Sequence, residues 1–156
     1  MRPRMPVLFW AEDPDQGAPL AFSMFHGIAT VKVCPALSDY YFLEALRRIH
    51  CFRLVVVMAA DPVSPLAKQL ASKACRACHG CGIPVLAIAG DIQKATTMEA
   101  SSHYALQPDN SELFELIRFL IRPKRGPRKG LGLLRNTAIA QGVAASYDGQ
   151  SPSALA

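Results

Sequence analysis

The sharpest local motif in this 156-residue chain is a cluster of thiol and imidazole side chains, Cys75-Arg76-Ala77-Cys78-His79-Gly80-Cys81. Thiolates and imidazoles bind zinc, and thiolates bind iron–sulfur clusters, so Cys75, Cys78, His79 and Cys81 are candidate metal ligands. The Cys-x-x-Cys-His portion also matches the signature for covalent haem attachment. That attachment normally requires export, and we expect no export signal because the apolar stretch near the N-terminus is short. A zinc or iron–sulfur centre is therefore the metal hypothesis for this cluster.

Two other hypotheses account for the same cysteines. Cys75 and Cys78 have the spacing of a redox pair, but the cluster falls at the carboxyl end of a predicted helix, where the helix dipole disfavours a thiolate. Free cysteines are also common in protein cores, so packing of a helix end against a sheet explains the motif without any ligand. Zinc ligands usually come in pairs from two separated turns, and this cluster is tighter. We favour packing and keep metal binding and thiol redox sensing as alternatives.

A second place for chemistry is the end of an apolar run, Leu54-Val55-Val56-Val57, which is followed by Met58 and then by Asp61. Such a run with little alternation predicts a central parallel strand that is buried on both faces. Ligands of α/β sheets collect at the carboxyl ends of the strands. The thioether of Met58 is only a weak ligand for a hard cation. The side chain that stands directly after this strand therefore limits what the site can do.

These residues are positioned by strands that alternate with helices along the chain. Apolar runs that end at turn residues predict five strands, and apolar residues at helical spacing predict helices between them. Residues 14–28 contain two prolines and two glycines, which predicts only a short helix there. The whole pattern predicts an α/β fold with a doubly wound, five-stranded parallel sheet. The predicted strands are Val7–Trp10, Thr30–Cys34, Leu54–Val57, Pro84–Ala89 and Tyr104–Leu106.

The composition predicts one folded domain with a basic extension. Hydrophobic residues make up 51% of the chain and charged residues 19%, which is the balance of a globular protein. Seven basic residues fall between Arg118 and Arg135, so the net charge of +5 belongs mainly to the C-terminal part. We predict a domain over residues 1–122 and a basic, flexible tail over residues 123–156. No window approaches the length of a membrane span, which favours a cytoplasmic protein with reduced cysteines.

The order and spacing of the elements over residues 5–122 resemble the receiver domain of two-component response regulators. The most specific stretches are Gly82-Ile83-Pro84-Val85-Leu86-Ala87-Ile88-Ala89-Gly90 and Tyr104-Ala105-Leu106-Gln107-Pro108-Asp109, which precedes an amphipathic helix. Receivers have there an apolar strand ending in Thr or Ser and then a strand ending in Lys-Pro. The resemblance implies the flavodoxin-like, doubly wound fold. It also implies a shortened fourth helix, because few residues separate Ala89 from Gln107.

The resemblance further implies a phosphate-accepting site. In receivers, two acidic residues after the first strand hold Mg²⁺ and an aspartate after the third strand accepts phosphate, while a Thr or Ser and a Lys contact the phosphoryl oxygens. Glu12 and Asp13 stand in place of the acidic pair, and Met58 stands at the acceptor position. Ala89 replaces the hydroxyl residue and Gln107 replaces the lysine. Alanine has no hydroxyl and glutamine no positive charge, so the resemblance is to a degenerate type, a pseudo-receiver.

An alternative alignment places Asp61 at the acceptor position. Receivers have a proline four residues after the acceptor, and Pro62 follows Met58 at that distance while Pro65 follows Asp61. We favour Met58 because the preceding valines then fit the strand and the following apolar residues fit the helix. In the alternative, Asp61 accepts phosphate and Mg²⁺ is the cofactor.

One function is favoured and two alternatives remain. We favour a phosphorylation-independent protein-interaction module without enzymatic activity and without a cofactor. The expected partner is a signalling protein, and a second copy of the chain is another possible partner. Nucleic acid or an acidic surface is a lesser alternative, because the basic segment lacks interleaved aromatic residues. The alternatives are a metal-binding or thiol redox sensor and an active receiver phosphorylated at Asp61. The predicted contact residues are Tyr104, Arg118, Arg122, Lys124 and Arg125.

Overall fold

The computed structural model describes residues 4–122, which form a parallel sheet with helices on both faces. The strands are β1 (Met5–Ala11), β2 (Val31–Ala36), β3 (Leu54–Met58), β4 (Val85–Ala89) and β5 (Ser102–Ala105). The helices are α1 (Pro14–Gly27), α2 (Asp39–Leu46), α3 (Pro65–His79), α4 (Ile92–Ala95) and α5 (Ser111–Leu120), and a 3-10 turn (Ile49–Cys51) precedes β3. The strand order is β2-β1-β3-β4-β5 with all neighbours parallel. The predicted fold class is confirmed.

The sheet separates two apolar clusters, and β3 contributes to both. Val55 and Val57 pack with residues of α2 and α3, whereas Leu54, Val56 and Met58 pack with residues of α1 and α5. Every residue of β3 is buried, as the unbroken apolar run predicted. Burial of each such side chain stabilises the fold by about 1.5–3 kcal/mol. The strand that leads to the candidate site is therefore a rigid element.

Helix α1 is longer than the sequence predicted, and the glycines and prolines explain why. The helix spans 14 residues, with Pro14 in its first turn, where no intrahelical hydrogen bond is needed, and Pro19 on its exposed side. Gly17 does not interrupt the helix. A Cβ atom at Gly17 would overlap the side chain of Ala11, so the glycine allows α1 to lie directly against β1. The short helix predicted for this segment is therefore wrong.

Helix α4 has the shortened form that was predicted. It contains four residues, and the Asp91 carboxylate caps it by accepting a hydrogen bond from the backbone N–H of Lys94 at 2.8 Å. The compact unit that contains the sheet ends at Ile121. The predicted flexible tail, residues 123–156, lies outside the described residues and stays a prediction. Within residues 4–122, no helix is both long enough and apolar enough to cross a membrane.

Candidate functional site at the carboxyl edge of the sheet

The residues of the predicted pocket come from the carboxyl ends of four neighbouring strands. Glu12 directly follows β1, and the register pairs Ala11 at the end of β1 with Met58 at the end of β3. Ala89 ends β4 opposite Ala105 of β5, two residues before Gln107. Since parallel strands end at one edge of a sheet, the structure brings the predicted pocket residues to that edge.

Met58 is the last residue of β3, and its side chain belongs to the core. The residue is only 3% exposed and packs in the cluster that also holds Phe9 and Ile88. Its carbonyl oxygen accepts a hydrogen bond from the backbone N–H of Glu12 at 2.9 Å, which fixes the end of β3 beside the end of β1. The position directly after the buried valines is therefore occupied by a thioether that contacts apolar groups and not solvent.

The acidic pair after β1 holds neighbouring backbone in place. Glu12 Oε1 accepts a hydrogen bond from the backbone N–H of Ala60 at 3.0 Å, so its carboxylate secures the loop between β3 and α3. Asp13 Oδ1 accepts from the backbone N–H of Asp15 at 3.0 Å and caps α1. Both carboxylates thus have structural hydrogen bonds across or beside the site.

Asp61 lies three positions beyond the end of β3, in the loop, and it forms an ion pair that the sequence did not predict. Lys94 Nζ donates to Asp61 Oδ1 at 2.7 Å and lies 3.6 Å from Asp91 Oδ2. The hydrogen bond to Asp61 raises the pKa of the Lys94 ammonium above its ordinary value, against a smaller opposing effect of desolvation. The side chain of Asp61 is 61% exposed. The carboxylate is therefore accessible to solvent and already paired with a cation.

The two remaining pocket positions carry neither a hydroxyl group nor a positive charge. Ala89 is fully buried, with only a methyl group at the end of β4. Gln107 is exposed, and its Nε2 donates over a long 3.4 Å contact to the carbonyl oxygen of Ala105, two residues earlier in its own chain segment. Among residues 4–122 no three His, Cys, Asp or Glu side chains are grouped so that they could hold a metal ion. Glu12, Asp13 and Asp61 are therefore not grouped in this way.

The cysteine cluster is divided among three different environments. Cys78 is buried against the sheet, and Cys75 is half-buried with its Sγ donating to the carbonyl oxygen of Glu99 at 3.3 Å. His79, the last residue of α3, and Cys81 beyond the helix end are exposed. Burial raises the pKa of the Cys75 thiol to about 11 and that of Cys78 to about 12, with smaller contributions from nearby Glu99 and from the other cysteines, respectively. These positions fit the packing hypothesis better than a shared ligand set.

The predicted contact residues differ in their exposure to solvent. Tyr104 is only 9% exposed and packs in the core with Leu113, so it does not lie on the surface where we expected it. Burial raises the pKa of its hydroxyl, and the nearby Glu112 carboxylate acts in the same direction. Arg118 and Arg122 are exposed on and just after α5. Lys124 and Arg125 lie outside the described residues.

Sequence reasoning missed Lys94 and the use that is made of Glu12. Each of these two side chains forms a hydrogen bond to a segment far away in the chain. Glu12 bonds to Ala60, and Lys94 bonds to Asp61. One signal was available: Lys94 follows a strand that ends at the same edge, so the edge rule places it near the site. The partner of each side chain depends on the path of the loops, which has no signature in the local sequence.

No protein-family model matches the chain, and no curated protein matches it. Solved structures do match. The signal receiver domain of a histidine kinase from Clostridium thermocellum has a TM-score of 0.60 at 13% identity, over 76% of this chain and 98% of that one. An orphan response regulator from H. pylori has a TM-score of 0.56 at 18% identity, over 78% of this chain and 100% of that one.

A third similar structure is a protein from Burkholderia pseudomallei described as pilus assembly-related. Its TM-score is 0.60 at 13% identity, over 75% of this chain and 89% of that one. At these identities the likeness concerns the fold. The described part of the chain has the fold of response-regulator receiver domains.

Proposed function

Because the described domain has the receiver fold, we propose that it is a signalling module that works without phosphorylation, by docking a partner protein, and that it is not an enzyme. The observation that carries this proposal is Met58. This residue ends β3 at the carboxyl edge of the sheet, where the resemblance implies a phosphate-accepting aspartate, and its side chain is buried among apolar groups. A thioether in an apolar environment does not accept a phosphoryl group.

The remaining pocket residues support the same proposal. The carboxylate of Glu12 is hydrogen-bonded to the loop after β3, and Asp61 of that loop is paired with Lys94 of α4. Together these contacts tie the ends of β1, β3 and β4 to one another through protein groups alone.

The solved structures that share the fold carry more than one functional description. One is described as an orphan response regulator and others as pilus assembly-related proteins from two Burkholderia species. The same scaffold thus occurs in proteins of more than one description. The partner of this chain is accordingly inferred from its surface, below, and not from its neighbours.

The test is incubation of the full chain with acetyl phosphate and Mg²⁺, followed by intact-mass measurement. We expect no phosphoryl adduct, and we expect the Asp61→Asn variant to give the same spectrum as the wild type. A known active receiver treated in parallel must show its adduct, which establishes that the reagent works. An adduct on this chain that disappears in Asp61→Asn would overturn the proposal.

A phosphoryl adduct that disappears in Asp61→Asn would favour an active receiver. One observation supports that alternative. Asp61 is an exposed carboxylate at the correct edge of the sheet, with an ammonium group 2.7 Å from its oxygen. Lys94 would then provide the positive charge that Gln107 lacks. Lys94→Gln separates the two functions, because it should abolish an adduct at Asp61 but should leave partner docking elsewhere unchanged.

A further inference from the structure

A basic and aromatic surface covers the edge of the domain opposite the candidate site. We call it the amino-edge patch and define it by five described residues. Helices α1 and α5 both end there, because a helix that follows a parallel strand runs back across the sheet, and the residue before β1 lies there as well. The members of the patch are Arg4, Phe22, Phe25, His26 and Arg118.

The side chains of the patch hold one another in place. The ring of His26 lies 4.2 Å from that of Phe22 and meets the ring of Phe25 edge-on at 5.2 Å, both measured between ring centroids. The guanidinium carbon of Arg4 lies 4.4 Å from the centroid of Phe25, within the range of a cation–π contact. Groups that are ordered before binding lose less conformational entropy when a partner arrives.

Contacts between α1 and α5 fix the remaining cation. Arg118 Nη2 donates to the carbonyl oxygen of Gly27 at 3.1 Å, directly beside His26. A Cβ atom at Gly27 would overlap the ring of Phe114, so the two helices approach closely at this point. The patch is therefore one continuous surface built on two helices and the start of a strand.

The ends of α1 and α5 do not by themselves explain the positive charge and the exposed aromatic ring of the patch. Basic groups near the carboxyl end of a helix are explained by its dipole. That effect does not explain Phe22, which is 66% exposed. Arg4 and Arg118 are exposed, and neither pairs with a carboxylate within residues 4–122. Arginine and aromatic residues are the residue types enriched at protein interfaces, and the patch combines both.

We propose that the amino-edge patch docks an acidic segment of the partner protein that also carries aromatic or large aliphatic side chains. This inference rests on the proposed function and specifies the chemistry of the partner. Guanidinium N–H groups bind carboxylates in pairs, and Phe22 supplies the apolar contact. The remaining sequence carries further positive charge, Arg2 and five basic residues between Lys124 and Arg135, and this net charge would accelerate association with an acidic partner.

The experiment is fluorescence anisotropy of a labelled short peptide, in which pairs of Glu alternate with Phe, titrated with the full chain. We expect the wild type to bind. Arg4→Glu combined with Arg118→Glu should weaken binding at least about tenfold, because attractive charge pairs become repulsive. Phe22→Ser should weaken binding severalfold without affecting folding, since the ring is mostly exposed. Circular dichroism spectra establish that each variant is folded.

Two control variants make the same change in charge elsewhere. Lys68→Glu with Arg76→Glu lies on α3, on the other face of the sheet, and should bind like the wild type. Arg128→Glu with Lys129→Glu reports the contribution of the basic segment. The proposal is overturned if the peptide does not bind, or if the basic-segment variant loses binding while the patch variants retain it.

A further experiment measures binding of the full chain to vesicles of phosphatidylglycerol and phosphatidylcholine. Binding to these vesicles through Arg4 and Arg118, with no binding to the peptide, would assign the patch to a lipid surface and contradict the proposed partner. A phosphoryl adduct in the acetyl phosphate experiment would refute the proposed function but would not change the affinity of the patch for the peptide. The two failures are therefore distinguishable.

Discussion

Cys75 is expected to exchange with a disulfide about ten times more slowly than a cysteine of ordinary acidity. Burial raises the pKa of its thiol from 9.0 to about 11, with a smaller contribution from the Glu99 carboxylate. The thiolate is the attacking species, so this rise lowers its fraction at pH 8 by about a hundredfold. A more basic thiolate is also a better nucleophile, which recovers about a factor of ten with a Brønsted coefficient of 0.4–0.5. The net effect is about a tenfold decrease in rate.

The same reasoning gives Cys78 a decrease of more than thirtyfold, since the pKa of its thiol rises to about 12 and the residue is buried. The assay is incubation of the reduced chain with oxidised glutathione, with peptide mass spectrometry to follow each mixed disulfide separately. Cys51 is exposed and serves as the reference within the same molecule. The rate at Cys75 should continue to rise with pH up to about 11, where its thiol is half ionised.

Equal rates at Cys75 and Cys51, with a plateau below pH 9, would refute the reasoning. That result would show a thiol that burial does not control, and it would favour the redox sensor over the packing hypothesis. Repeating the exchange with equimolar Zn²⁺ tests the metal alternative. A shared site would protect Cys75, Cys78 and Cys81 together, whereas the arrangement in the structure leads us to expect no protection of the exposed Cys81.

Two further substitutions test the packing and the ion pair described above. Gly17→Ala should lower the free energy of unfolding by about 2 kcal/mol, because the new Cβ overlaps Ala11 and displaces α1 from β1; urea denaturation measures the loss. Gly80→Ala is its control and should stay within about 0.5 kcal/mol of the wild type, since nothing lies within 4 Å of a Cβ there, and equal midpoints for the two variants would contradict the packing argument. Lys94→Ala should lower the thermal midpoint only slightly, because both partners are exposed to solvent. The ion pair with Asp61 raises the pKa of Lys94, so the stability that the pair contributes is present at neutral pH and is lost as pH rises above about 10.5. A difference in thermal midpoint between wild type and variant that grows at high pH would contradict this expectation.

The fold could be predicted because its signals are local. Each buried strand is an unbroken or alternating apolar run, and β3 and β4 carry enough consecutive apolar residues to indicate burial on both faces. Once strands alternate with helices, few arrangements other than a doubly wound parallel sheet remain. The short α4 followed from the number of residues available between two strands, which is a count along the chain.

Errors arose where a residue type has two uses. Gly17 is a helix breaker in one context and a point of close approach in another, and only its distance from Ala11 distinguishes them. Tyr104 was a predicted contact residue, but it is buried and packs with residues of α5. In both cases the sequence specifies the residue, while a second element that packs against it decides its role.

The candidate site shows the same division. The sequence alone determined that Met58, Ala89 and Gln107 carry a thioether, a methyl group and an amide, since residue types need no structure to be known. Only the tertiary structure decided that Met58 is buried, that Glu12 secures the loop at Ala60, and that Lys94 pairs with Asp61. The physical reason is that hydrogen bonds and ion pairs depend on distances of a few ångströms between segments 33 and 48 residues apart, and only the packed chain brings these segments together.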